Sequence, residues 1–142
     1  MLKSIIETDS SKTTIIIRLI VGVVFLSEGI QKFLFPENRG SGRFYEIGLP
    51  FPDFLGDFVG SVEIICGILV LLGFMTRLAS IPLLVVMVVA LSTTKVEILI
   101  SKGFWEMMHA SRTDWAMILG SLFLFIKGGG CWSLDKILYK HE

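Results

Sequence analysis

The sequence predicts an all-α protein, an antiparallel four-helix transmembrane bundle with a Gly-, Pro- and Phe-rich loop along the membrane surface between helices 1 and 2. Three observations predict it. The chain is 53% hydrophobic and only 18% charged, with a mean hydropathy of +0.74, whereas soluble domains average about 45–50% apolar and about 25% charged residues. Residues 15–35 and 57–74 form apolar stretches of about the 20 residues that a bilayer crossing takes. Deep inside each stretch sits one glutamate, Glu28 in the first and Glu63 in the second. An ionised carboxylate at the bilayer centre costs about 2.5–3.5 kcal/mol, so it faces the protein interior and pairs. At 142 residues the chain has room for four spans and short loops, and none for a second folded domain.

In chain order, residues 1–14 form a polar segment, 15–135 the membrane domain and 136–142 a short tail. No small-x-small cleavage site follows the first apolar run before Glu28, so that run is expected to stay as an anchor. Span one covers residues 15–35 and ends at Pro36. Residues 36–56 are rich in Gly, Pro and Phe and cannot be one long helix; Phe44, Tyr45, Phe51 and Phe54 suit a membrane surface. Span two covers 57–74, and Gly73 to Arg77 makes a tight turn into span three, about 78–94, whose Pro82 falls early, where a missing N–H does least harm. Residues 95–113 read as a connection carrying Trp105, with Trp115 close by, as in an interfacial aromatic belt. Span four, 114–126, is about 20 Å of helix. It must begin earlier or be helped by Lys127 reaching toward the headgroups; a re-entrant segment is the alternative.

Four spans put both termini on one side. That side holds Lys3, Lys12, Arg18, Arg77, Lys127, Lys136 and Lys140, against Lys32, Arg39, Arg43, Lys95, Lys102 and Arg112 on the other, seven against six. The positive-inside rule then favours cytoplasmic termini by a single charge.

Helical periodicity sorts the polar and small residues onto shared faces. At about 100° per residue, Arg18, Gly22, Phe25, Gly29 and Lys32 share one stripe of span one with Glu28 at its edge, and Gly56, Gly60, Glu63 and Gly67 share one stripe of span two. Small residues let membrane helices approach closely, so these stripes are expected to pack together. Counting about 1.5 Å per residue sets Glu28 and Glu63 at nearly one level, with Lys32 one turn outward. Two anions so close cannot both ionise cheaply; either Lys32 bridges them or one holds a proton. Glu28, Lys32 and Glu63 are thus either a structural polar clamp or a proton-handling or ligand-binding site. Arg18 lies in the opposite leaflet and needs another partner, for which Asp135 is the candidate; these two and Arg77 are the expected structural ion pairs.

Other chemistries find little support. Zero net charge removes a basic face for nucleic acid. Cys66 and Cys131 form no Cys-x-x-Cys, and thiols in apolar surroundings are inert. His109 and His141 are the two histidines, both outside the spans, so no metal, haem or other intrinsic cofactor site is expected.

Several features in order resemble one family. These are Arg18, Gly29-Ile30-Gln31-Lys32-Phe33, Gly48-Leu49-Pro50 with Pro52, Glu63 with Gly67 running into Leu71-Leu72-Gly73, Thr76-Arg77, and the closing Gly130-Cys131-Trp132-Ser133-Leu134-Asp135. Over about 15–135 the chain resembles the DoxX family of small four-helix integral membrane proteins. That resemblance implies a place in the plasma (inner) membrane and a link to quinol oxidase, thiosulfate:quinone oxidoreduction or redox-stress complexes; distant eukaryotic relatives act as receptor-assembly chaperones. Many members carry a histidine after span three, where this chain has Thr94-Lys95-Val96-Glu97, so an imidazole role there is not expected.

Three functions compete. An auxiliary subunit of a quinone-linked redox system would use Glu28, Lys32 and Glu63 around a quinone headgroup, with the redox centre on a partner subunit or on the quinone itself. A non-enzymatic scaffold or assembly factor would use its glycine faces to bind helices of another membrane protein. Transport would use the same charges, and four short spans would then require a homo-oligomer.

Overall fold

A computed structural model describes residues 5–141, with the side chains of Lys140 and His141 outside that description. Lys3, counted above on the terminal side, also lies outside the described residues, as do the side-chain positions expected for Lys140 and His141. The protein is all-helical, and no strand occurs among the described residues. Three helical segments are long and apolar enough to cross a membrane: Thr14–Leu34, Pro52–Leu72 and Thr76–Lys102.

Helix α1 (Thr14–Leu34) stops because Phe35 precedes a proline and leaves the helical region, at φ −129° and ψ 61°. Pro36 then opens α2 (Pro36–Arg39) from the first helical position, where its missing N–H costs nothing. Helix α3 (Ser41–Glu46) follows. The segment expected as an irregular loop is therefore two short helices and a turn, and α4 (Pro52–Leu72) begins five residues before the expected Asp57, again on a proline. Gly73 ends α4 in the left-handed region, at φ 67°. Its N–H reaches the Val70 carbonyl at 3.1 Å and that of Phe74 reaches Leu69 at 2.9 Å, the two bonds of a Schellman stop.

The third segment corrects the sequence reading. Helix α5 (Thr76–Ala90) continues through a π-helical turn (Leu91–Lys95) into α6 (Val96–Lys102), well past the expected end near Thr94. After Pro82, early in α5, no glycine or proline occurs before Gly103. Consecutive hydroxyls cause the irregularity: Ser92, Thr93 and Thr94 bond back to the carbonyls of Val88, Val89 and Ala90, competing with the backbone ladder. The expected connection 95–113 is accordingly mostly helical, with α7 (Phe104–Ala110) turning back at Gly103. Helix α8 (Arg112–Lys127) is one continuous helix of 16 residues, starting two residues before Asp114. A short helix, α9 (Leu134–His141), closes the chain.

Packing is most extensive between α1 and α4, then between α5 and α8. Glycines permit the first pairing: a Cβ on Gly29 would lie 2.7 Å from the Gly60 carbonyl, and one on Gly67 would lie 2.9 Å from the Leu26 nitrogen. Gly22 faces Gly67 in the same crossing, whereas Gly56 meets the backbone of Ser41 instead of α1. Between the two helix pairs runs a core of Val21, Phe25, Val70, Leu83, Met117 and Leu124. Outward-facing Ile16, Val23, Phe58, Val85, Val88 and Leu119 stay exposed, as an apolar solvent allows.

Candidate functional site

Two clusters of charge occupy opposite ends of the helices, and their hydrogen bonding differs. At the α4–α5 turn, Arg18 is 3% exposed. Its Nε donates to the Val70 carbonyl at 2.9 Å, its Nη2 to Leu71 at 2.5 Å, and its Nη1 to the carbonyls of Gly129 (3.2 Å) and Trp132. Val70 and Leu71 belong to the last turn of α4, whose carbonyls have no partner within the helix. Asp135 serves the opposite end of the same turn, accepting from the N–H of Met75 (2.6 Å) and Thr76 (2.9 Å) at the start of α5. Those bonds hold Met75 at φ 48°, a strained conformation for a side chain of its size. Arg18 and Asp135 thus meet at one turn, yet no direct ion pair joins them among the described residues. Each is hydrogen-bonded to backbone groups instead. Arg77, expected in the same set, is half-buried and makes no ion pair among the described residues.

Glu28, Lys32 and Glu63 line one cavity of about 620 Å³ at the other end of the helices. Lys32 Nζ lies 2.7 Å from Glu63 Oε2, with the side chains 11% and 4% exposed. This bond crosses from α1 to α4 one turn from the Gly29–Gly60 contact, where close backbones bring short and long side chains within reach. Of the three Lys32 N–H donors, one is used by Glu63, and the others have no partner among the described residues. Glu28 is half-buried on the same wall and has no hydrogen-bond or ion-pair partner there. Apolar residues fill much of the wall beside them: Val24 and Phe25 from α1, Val59 from α4, Val86 and Met87 from α5, and Met117 from α8.

Sequence reasoning missed the far side of this cavity. Lys95, at the end of the π-helical turn, lies 3.4 Å from Asp114 on α8, and both line the cavity with Thr93 and Thr94. Each helix pair is therefore stitched by one ion pair that faces the cavity. The signal was present: Lys95 follows one apolar run and Asp114 opens the next, so antiparallel helices set them at one level. Arg39 and Arg43, on α2 and α3, line the mouth. The free cysteines are Cys66, buried, and Cys131, half-buried. Among the described residues no group of His, Cys, Asp and Glu could hold a metal ion.

Fold and site together define a small all-helical membrane protein with a charged, half-apolar cavity between its helices. The family profile described as DoxX matches residues 13–96, more than half of the chain, and the chain belongs to the DoxX family. It is 50% identical over 142 aligned residues to a protein of Mycobacterium tuberculosis (strain ATCC 25618 / H37Rv) named "Uncharacterized membrane protein Rv3486", covering 96% of this chain and 87% of that one. It is 28% identical over 128 residues to "Putative oxidoreductase CatD" of Bacillus subtilis (strain 168), covering 89% of this chain and 87% of the relative. No solved structure matches the chain.

Proposed function

We propose that this protein is an auxiliary subunit of a quinone-linked redox system, an antiparallel four-helix bundle in the plasma (inner) membrane with cytoplasmic termini. Its cavity holds the quinone headgroup. One observation carries the reading: Lys32 keeps N–H donors uncommitted among the described residues, beside a Glu28 with no partner among them, in a half-apolar cavity. A volume of about 620 Å³ falls within the roughly 300–1,000 Å³ of small-molecule sites. Neutral ring oxygens suit ammonium donors, and apolar walls suit a ring. A quinone supplies the redox chemistry by taking up two electrons and two protons. In this reading Lys32 donates N–H to a ring oxygen, Glu63 fixes the Lys32 ammonium in place, and Glu28 holds or releases a proton beside it. The relative named an oxidoreductase is in keeping with this class of activity. No step of electron transfer is assigned to the chain's own side chains; the redox partner is a second subunit.

The scaffold reading draws on a different observation, the projecting α6–α7 hairpin with Ile100 and Trp105 both 82% exposed. A test separates the two. Protein purified in mild detergent and extracted into organic solvent is expected to yield quinone, and the Glu63→Gln variant is expected to yield several-fold less. Quinone absent from every wild-type preparation, or retained equally by the variant, overturns the redox reading. Partner capture that survives Glu63→Gln and fails on Trp105→Ala would then favour the scaffold.

A further inference from the structure

The cavity wall between α4 and α5 is incomplete in a particular direction. Phe58, Val85 and Val89 line the cavity and, at 53%, 57% and 44%, are the exposed members of its apolar lining. Exposed apolar lining on two neighbouring helices points to where the cavity opens. The register agrees: at about 1.5 Å per residue, Phe58 stands about 22 Å from Gly73 along α4 and Val89 about 21 Å from Met75 along α5. The two rims are therefore level. The helices are tied at their turn by Arg18 and Asp135 and pack together less extensively than α1 with α4. At the cavity end residues of both helices line the cavity instead.

We propose that this gap is a lateral portal through which a bilayer-dissolved amphiphile reaches the cavity, its polar head at Lys32 and its apolar chain lying across the rim formed by Phe58, Val85 and Val89. The ligand class is thereby narrowed to compounds with a long hydrocarbon tail. The head is drawn inward because Lys32 offers hydrogen bonds that lipid cannot; the tail stays outside because the rim is as apolar as lipid. The choice of a quinone as probe rests on the proposed function, whereas the portal itself does not.

The experiment has two arms. In the first, decylubiquinone and the same dimethoxy-methyl ring bearing hydrogen in place of the tail are bound to wild type and to Val85→Trp in nanodiscs, and retained compound is quantified after extraction. An indole at the rim leaves the tail no unhindered way from the cavity into lipid, an overpacking clash that is expected to cost the decyl compound about tenfold or more in affinity. The tailless ring is expected to bind both proteins equally. Equal losses for both compounds, or no loss for either, overturn the portal. Binding of neither compound to wild type sinks the quinone reading alone, and the second arm then decides. A nitroxide on Val86→Cys, with Cys66→Ala and Cys131→Ser removing the native thiols, reports from inside the cavity. Relaxation by bilayer-dissolved oxygen, reduced several-fold by Val85→Trp, is expected. Relaxation by a water-soluble nickel chelate that Val85→Trp does not change would show a cavity open only to water and refute the proposal.

Discussion

Replacing Glu63 with Gln removes the negative partner of Lys32 while keeping side-chain volume nearly constant, so the loss is electrostatic. At 2.7 Å between Nζ and Oε2, the attraction is about 6 kcal/mol for an effective dielectric constant of about 20. Bringing the pair out of water offsets much of that. Breaking such a pair leaves an uncompensated charge at a site only 11% exposed on the lysine side, which costs about 3–5 kcal/mol. Glu28, one helical turn before Lys32 and on the same cavity wall, can accept the freed ammonium by a rotamer change. The expected destabilisation for Glu63→Gln is therefore near the lower bound, about 3 kcal/mol, and Glu28→Gln combined with Glu63→Gln raises it further. Removing both charges of the pair, Lys32→Met with Glu63→Gln, leaves no orphaned ammonium, and stability should return to within about 1–2 kcal/mol of wild type. Equilibrium unfolding in mixed micelles of wild type, Lys32→Met, Glu63→Gln and the two combined closes the double-mutant cycle, with Glu28→Gln/Glu63→Gln read beside it. Strictly additive losses, or a Glu63→Gln cost below about 1 kcal/mol, would refute a buried, mutually dependent pair.

Arg18→Lys keeps the charge and discards the fork that reaches four carbonyls. A lysine replaces at most some of these bonds, and each charge-assisted bond lost costs about 1.5–3 kcal/mol, so the same unfolding assay should show a loss of about 3 kcal/mol or more. Acid should loosen the N-terminal segment. The Lys127 ammonium and the Ser10 N–H hold Asp9 below its ordinary value of 3.8, so the contact is fully formed above that pH and is lost as pH falls through the lower folded-state value. Amide exchange at Asp9 and Cys131, whose N–H groups bond to Lys127 and Ser11, should quicken below about pH 4 in wild type beyond what Lys127→Met shows; identical profiles would remove Lys127 as the cause.

The helix pairing was legible in the sequence because it rests on rise and rotation alone. The Gly22, Gly29, Gly60 and Gly67 stripes and the level of Glu63 follow from 3.6-residue periodicity, and the close glycine contacts of α1 and α4 obey it. Partners that are backbone atoms were not legible. Arg18 reads as a charge that needs a carboxylate, and only the fold reveals a helix end whose last-turn carbonyls take its place. The Ser92-Thr93-Thr94 run reads as the end of a span, because hydroxyls rarely continue one. In the folded chain those hydroxyls find carbonyls one turn back and the helix goes on. That misplacement of the helix end hid the Lys95–Asp114 pair.

Spare hydrogen-bonding capacity separates a site from a clamp. At the α4–α5 turn every polar atom of Asp135 and nearly every donor of Arg18 is spent on backbone groups, and a ligand could bind there only by displacing them. Such a knot serves stability. At the cavity end, among the described residues, Lys32 holds donors in reserve and Glu28 a carboxylate without a partner. Unsatisfied groups at membrane depth are costly, and a fold tolerates them where something else completes the bonding. The backbone knot at one end keeps the bundle folded while the other end stays open enough to carry that cost, so weakening the knot should loosen the cavity as well.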